Sequence, residues 1–320
     1  MPSVSVVMPA YQAGSTVGAA ISSVLWQTYS EVELIVVDDG STDETPRIAA
    51  AYGTSVRLVQ QANAGVASAR NRGISEATGE LVAFCDADDF LFPQHLEALV
   101  SAVQDNGGLA TANSYWMFPG GIERSKVRYK GRFPSPSEQR RAILEQNFVS
   151  TMSIFPRSLV EQIGPFDEEL RRAEDWDFWM RAIFAGHRVT LQPRPLALYR
   201  WGSSSLTSAR EAMDTAVGDV LRKTVRDFDL SPEERAYVER RLRGPGPQAL
   251  ARGGDAALRA GDYRQAARLY REAAEILPTE RRLVWKARVM ASAPTLTGVL
   301  VRARQRRIED NLGFDDEHVR

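Results

Sequence analysis

With 320 residues, 43% of them hydrophobic and 25% charged, the chain has the composition of an ordinary globular protein with room for a full core and a smaller second unit, which excludes disorder as its default state. Forty Lys and Arg against forty-one Asp and Glu leave a net charge of -1, so no global field draws it to nucleic acid or to an anionic membrane, and anion binding must be local. The single cysteine, Cys85, excludes an intramolecular disulfide and a cysteine-cluster metal site, and fits a reducing compartment such as the cytoplasm.

The run Met1 to Pro9 lacks a basic leader and is too short in apolar residues for a signal peptide, so Val4 to Met8 reads as a first strand. A helix from about Ser15 to Trp26 and a strand at Glu33 to Val37 complete a β-α-β unit. A helix from Asp43 to Tyr52 stops at Gly53, and Val56 to Gln60 reads as a strand. Gly65 to Ala77 is a small-residue helix ended by Gly79, after which Glu80 to Cys85 is the continuous apolar run of a buried parallel strand. Past Phe92 come a helix from Pro93 to Gln104, a strand near Leu109 to Trp116, and a Gly, Pro and Arg-rich stretch from Pro119 to Pro136 that reads as mobile or acceptor-facing. Glu174 to Ala185 is a helix bounded by Gly186, and Arg188 to Leu191 and Leu196 to Trp201 read as strands.

Strand and helix alternating in short steps predict a three-layer α/β/α domain over residues 1–210 with a mostly parallel sheet and right-handed crossovers. Ligands bind such sheets beyond the carboxyl ends of the strands. Asp38-Asp39 and Asp86-Asp88-Asp89 each follow a hydrophobic strand directly and should face one crevice. Residues 211–320 form a smaller all-α unit, with Gly244 to Pro247 as a hinge. Within it, Ala257, Gly261, Tyr263, Ala266, Tyr270, Ala273 and Pro278 keep spacings that resemble one tetratricopeptide repeat near 247–280. A lone repeat needs neighbours to bury its apolar faces, so packing within the chain, self-association and a protein partner all stay open. The stretch Val289 to Val301 is broken by Pro294 and short of the roughly 20 residues that span a bilayer. The basic run Arg302 to Arg307 reads either as a solvated helix face or as a peripheral contact with anionic lipid at the inner membrane face.

Pro9-Ala10-Tyr11, Val36 to Asp43, Asn63-Ala64-Gly65 with Ala69-Arg70-Asn71, Asp86-Ala87-Asp88-Asp89 and Glu174-Asp175-Trp176 keep an order and separation that resemble family 2 glycosyltransferases over about residues 3 to 205. The resemblance implies a GT-A fold, a nucleotide diphosphate sugar as donor, a divalent metal, and transfer with inversion to a carbohydrate, lipid-linked or small-molecule hydroxyl.

The residue chemistry supports this reading. Tyr11 offers a seat for a base next to Pro9 and Ala10, and Asp39 an acceptor for an imide N–H, which favours uridine. Asp38 reads equally as a cap for the helix that follows. Arg70 could reach the nucleotide or its diphosphate, against the alternative of a surface arginine. Three carboxylates within Asp86 to Asp89 would repel without a cation, and Mg²⁺ or Mn²⁺ needs only one or two of them besides the diphosphate. By resemblance, Asp86 is the ribose ligand, Asp88 the metal ligand and Asp175 the general base with Glu174 beside it. Asp89 is open to a capping role before Pro93. Trp176 and Trp179 read as core more readily than as a sugar platform. Tyr199 to Leu206 resembles the segment that closes over the diphosphate but lacks the histidine common there, which leaves Arg200 to neutralise it. His95, His187 and His318 are scattered and are assigned no role. Two other classes remain open: a sugar-phosphate nucleotidyltransferase, for which Ala13 to Thr16 is a poor phosphate loop, and a non-catalytic nucleotide-binding scaffold.

Overall fold

The computed structural model describes residues 1–118, 120–201, 210–278 and 280–292. Strands β1 (Val4–Ala10), β2 (Val32–Asp38), β3 (Arg57–Gln60) and β4 (Leu81–Phe84) form a parallel set ordered β3-β2-β1-β4. Every residue of β1 and β4 is buried, because helices cover both faces of the sheet. Val4, Val6 and Met8 join one core cluster with Val17, Ala20 and Ile21 of α1 (Val17–Leu25), Ala49 of α2 (Thr45–Ala50), and Leu96 and Leu99 of α4 (His95–Asn106). On the opposite face Val7 meets α3 (Val66–Glu76).

The second half of the sheet is mixed. Strand β8 (Ser153–Pro156) runs antiparallel between β4 and β6 (Leu109–Phe118), and β9 (Val189–Arg200) is parallel to β6. Strand β5 (Phe90–Leu91) closes the far edge on β9. The expected α/β fold is present, with antiparallel strands entering beyond β4.

Three local expectations change. The stretch read as loose from 119 to 136 contains β7 (Gly121–Val127), an antiparallel partner of β6, and is therefore a hairpin over its first part. The two strands expected between Arg188 and Trp201 are one long strand, whose register slips between Ala112 and Asn113 of its partner. There the Asn113 amide donates to the Pro193 carbonyl at 3.0 Å and satisfies backbone that the slip leaves out of the ladder. Helices α5 (Gln139–Glu145) and α6 (Ser158–Ile163), with β8 between them, fill a region in which no element was expected.

Helix α7 (Glu174–Phe184) is locked by its aromatic side. Phe178 stacks on Phe166 with centroids 4.2 Å apart, and Trp176 donates its indole N–H to the Ile143 carbonyl. Trp176 and Trp179 are both core residues.

The chain divides into two units, Met1–Val220 and Leu221–Arg320, with the division inside α8 (Arg210–Asp227). In the second, α9 (Pro232–Leu242) starts on a reciprocal Ser231–Glu234 capping box. Helices α10 (Pro247–Ala260) and α11 (Tyr263–Ile276) form a hairpin across Gly261, in the left-handed region, with Asp262 capping α11. The Tyr270 hydroxyl and Lys286 of α12 (Arg281–Ser292) both bond Asp255. Met290 of α12 joins Leu258 and Tyr270 in a shared core, so this hairpin has a third helix against it. The run Arg302 to Arg307, His318 and the segment Gly202 to Leu206 lie outside the described residues. Among the described residues no helix is long and apolar enough to cross a membrane.

Helix α3 sits close to β1 because Gly73 faces it: a Cβ there would lie 2.2 Å from Val7 Cγ1, a short branched side chain with nowhere to go. Gly73→Ala should destabilise the first unit by about 1–3 kcal/mol through overpacking. Denaturant unfolding checks this, and an unchanged midpoint would mean that α3 shifts at no cost.

Candidate active site

The strand ends of the parallel half carry the sequence-expected residues into one region. At the end of β1, Pro9 and Ala10 pair with Val37 and Asp38 of β2, and the Asp39 amide donates to the Ala10 carbonyl at 2.9 Å. Tyr11 follows and is 55% exposed, so core packing does not explain it. Gln12 adopts φ 51, a left-handed conformation that a non-glycine residue holds only when its surroundings enforce it. Its side-chain carbonyl accepts from the Thr42 and Asp43 amides, and its own amide donates to Ser41 Oγ. The turn after β1 and the turn after β2 are thereby tied together.

Asp39 is 3% exposed and accepts from the Ala64 amide and Gln61 Nε2 through Oδ1, and from the Gly65 amide through Oδ2. It thus fixes the loop that starts α3, and Oδ2 keeps an acceptor direction in hand. Gly40, at φ 75, permits this approach: a Cβ would stand 2.8 Å from the Asn63 nitrogen. Asp38 accepts from the Ser41 amide, so it closes the turn and does not cap α2 itself.

Arg70 is the centre of the arrangement. Only 3% exposed, it donates from Nη1 to Glu174 Oε1 at 2.6 Å and from Nη2 to Asp86 Oδ1 at 3.0 Å. Its guanidinium lies 5.6 Å from the centroids of both Phe84 and Phe166. Burial alone would lower its pKa, but Asp86, Glu174 and Asp175 outweigh burial and hold it above the ordinary arginine value. Both terminal nitrogens are therefore claimed by carboxylates, and the arginine joins the end of β4 to the start of α7.

Asp175 is half-buried. Its carboxyl is pushed up to about 6, first by burial and then by Glu174, against the opposing charges of Arg70 and Arg128. Oδ2 accepts from Asn147 Nδ2 at 2.9 Å, and Asn147 is oriented in turn because its Oδ1 accepts from the Val149 amide. Ala173, immediately before Glu174, is the other non-glycine residue with positive φ among those described, at 57. The two strained positions flank Tyr11 and the Glu174-Asp175 pair.

On the loop after β4, Asp88 is pushed up to about 6 by burial and by Asp86, with Arg200 opposing. Asp89 is buried, and burial followed by its two acidic neighbours holds its carboxyl well above the usual carboxylate range. Its Oδ1 accepts from the Arg200 amide at 2.9 Å, so the expected cap before Pro93 is replaced by a tie to β9, and its Oδ2 is buried without a partner among the described residues. Arg200 Nε donates to the Asp88 carbonyl at 2.9 Å. Among the described residues no three acidic, histidine or cysteine side chains converge as a ready cage for a metal. The donor set fits a hard cation held by the Asp88 carboxylate that completes its shell with ligand oxygens and water. His95 is buried on the Leu196 carbonyl and pushed down to about 4 by burial.

Gln12, Asn147 and Arg128 were not singled out in the sequence. Gln12 stands directly after the Pro-Ala-Tyr segment, which was a usable signal, whereas Asn147 and Arg128 come from loops without periodicity.

A family model described as glycosyl transferase family 2 matches residues 5–164. EpsJ of Bacillus subtilis, described as an uncharacterized glycosyltransferase, is 31% identical over 230 residues, 67% of this chain and 66% of its own length. The chain spans between about a third and two thirds of the length of most of the curated relatives it matches. Among solved structures, Staphylococcus aureus TarS 1–349 in complex with UDP-GlcNAc is similar with a TM-score of 0.62 and 20% identity over 91% of each chain. The mannosyltransferase PcManGT from Pyrobaculum calidifontis, in complex with GDP-Man and Mn²⁺, gives 0.61 and 21%, covering 93% of this chain and 86% of its own. At such identities the likeness is one of fold, of the GT-A type.

Removing Arg70 would leave Glu174 as a buried charge without its partner and Asp86, a quarter exposed, without its own. Arg70→Leu should cost about 3–5 kcal/mol of stability, as for a broken buried ion pair. Denaturant unfolding at neutral pH measures it, and a loss below 1 kcal/mol would mean that water or rearrangement replaces the guanidinium.

Proposed function

Since the chain belongs to glycosyl transferase family 2, we propose that it moves a sugar from a nucleotide diphosphate sugar, UDP-linked by preference, to an acceptor hydroxyl with inversion at the anomeric carbon. The observation that supports this reading is the junction at Arg70, which joins Asp86 at the end of β4 to Glu174 at the start of α7.

In this reading Tyr11 seats the base beside Pro9 and Ala10, and Asp39 uses its remaining acceptor direction on the base imide. Asp86, held by Arg70 yet 25% exposed, accepts from a ribose hydroxyl. Arg70 serves as a positioning residue, because both of its terminal nitrogens are engaged. Asp88 would hold Mg²⁺ or Mn²⁺, which when bound supplies charge neutralisation to the departing diphosphate. Arg200, anchored through Nε, directs the rest of its guanidinium at the same diphosphate.

Asp175 takes the proton of the acceptor hydroxyl as that oxygen attacks the anomeric carbon from the face opposite the diphosphate. Its raised pKa suits a base that must be ionised near neutrality and basic enough to accept a proton. Glu174 is bound to Arg70 and orients its neighbour, while Asn147 sets the carboxylate plane. The acceptor is a carbohydrate, lipid-linked or small-molecule alcohol. Contact with the inner membrane face through Arg302 to Arg307 belongs to this proposal and would appear as salt-sensitive sedimentation with anionic liposomes. The helical hairpin of α10 and α11 is proposed to follow the tetratricopeptide pattern.

A screen of nucleotide sugars for metal-dependent hydrolysis tests the reading; release of pyrophosphate from a nucleoside triphosphate and a sugar phosphate would replace it with a nucleotidyltransferase. Asp175→Asn should lower turnover by about 10²–10⁴-fold while nucleotide affinity changes little. The wild-type rate should fall as pH drops below about 6, where the base takes up its proton; a flat profile from pH 5 to 8 would remove Asp175 from that role. Asp88→Ala should abolish the Mn²⁺-dependent part of nucleoside diphosphate binding in calorimetry, and retained metal-dependent affinity would refute the metal assignment.

A further inference from the structure

Arg128 follows β7 and is set by the hairpin. Its amide donates to the Ser114 carbonyl at 2.9 Å. Tyr129 beside it is fixed at both ends, by its amide on Asn113 Oδ1 and by its hydroxyl on the Phe148 carbonyl at 2.6 Å. The Arg128 guanidinium lies over two rings, Tyr129 and Tyr199, each with its centroid 5.8 Å away, and Nε makes a long contact of 3.4 Å to the Tyr129 hydroxyl. Among the described residues it forms no ion pair, and its two terminal nitrogens have no hydrogen-bond partner.

Its aromatic neighbours lead to both acidic segments: Tyr199 precedes Arg200, whose amide donates to Asp89, and Tyr129 donates to the carbonyl of Phe148, next to the Asn147 that donates to Asp175. The first acid ends the β4 loop and the second opens α7, so the contacts of this one arginine connect to both segments. Arg70 has its fork filled by carboxylates and Arg200 is tethered to the Asp88 carbonyl. Arg128 differs from both: aromatic faces hold it, and its pair of terminal donors remains unclaimed. A planar fork of that kind matches two oxygens of one phosphoryl group.

We infer that Arg128 is a phosphoryl-binding residue of the transfer site, taking anionic oxygens in the cleft between Asp89 and Asp175. The inference rests on the glycosyltransferase reading. The phosphoryl group can belong to the donor diphosphate or to a phosphate carried by the acceptor, and the two sources separate experimentally.

The test uses the full chain with Arg128→Gln and Arg128→Lys, each checked for native circular dichroism and melting. Calorimetry with Mn²⁺ measures binding of UDP or GDP and of the matching nucleoside, and glycerol 3-phosphate serves as probe of an acceptor phosphate. A loss of tenfold or more in diphosphate affinity with nucleoside affinity unchanged, partly recovered by Lys, assigns Arg128 to the donor. Unchanged diphosphate affinity with a tenfold loss of glycerol 3-phosphate binding assigns it to the acceptor. Wild-type affinity for every probe in a folded Arg128→Gln overturns the inference. If the wild-type chain itself binds no nucleoside diphosphate and hydrolyses no nucleotide sugar, the glycosyltransferase reading has failed; a working wild type with a silent Arg128→Gln sinks Arg128 alone.

Discussion

The site depends on one guanidinium taken out of water. The cost of burying the charge of Arg70 is offset because Asp86 and Glu174 meet it directly and two phenyl rings flank it. Those carboxylates come from the end of β4 and the start of α7, far apart in the sequence. The ion pair therefore fixes the loop after β4 against the start of α7. Each supporting feature serves that position. Gly73 lets α3 lie against β1, Asp39 fixes the turn from which α3 starts, and Phe178 with Trp176 anchors α7.

The same junction sets the electrostatics. With Glu174 bound to Arg70, Asp175 is left beside the cleft, raised by burial and by Glu174 yet restrained by Arg70 and Arg128. Of the three acids on the loop after β4, Asp86 is held by Arg70, whereas among the described residues Asp88 and Asp89 have no comparable side-chain partner: Asp89 is tied to backbone and Asp88 is opposed by Arg200. The start of α7 thus carries a carboxyl pushed up to about 6, and the loop after β4 gathers acids that raise one another. Strain at Gln12 and Ala173 marks the two turns where backbone geometry yields to this arrangement.

Much of this was legible in the sequence, for a physical reason. Continuous apolar runs ending in Asp39 and Asp86, alternating with helical stretches, read as buried parallel strands with acids at their carboxyl ends, so the parallel half of the sheet follows from β1, β2 and β4. The second half was less legible. Strands β7 and β8 are short and antiparallel, and they gain their place from partners far away in the chain, which no local period announces. The partner of Arg70 was hidden for the same reason: a helix-surface arginine and one buried between two carboxylates read identically until α7 is placed. Asp89 looked like a helix cap because Pro93 followed, but its oxygen is taken by the amide of Arg200, a contact set by β9.

The account is tested most directly by a crystal structure of the chain soaked with a nucleoside diphosphate and Mn²⁺, with anomalous scattering used to locate the metal. The account predicts a manganese peak about 2.1 Å from an Asp88 carboxylate oxygen, as for a hard cation on carboxylate, with the diphosphate beside Arg200 and the Arg70 junction intact. A nucleotide and metal bound away from Asp88, with Asp39 and Tyr11 untouched, would contradict it.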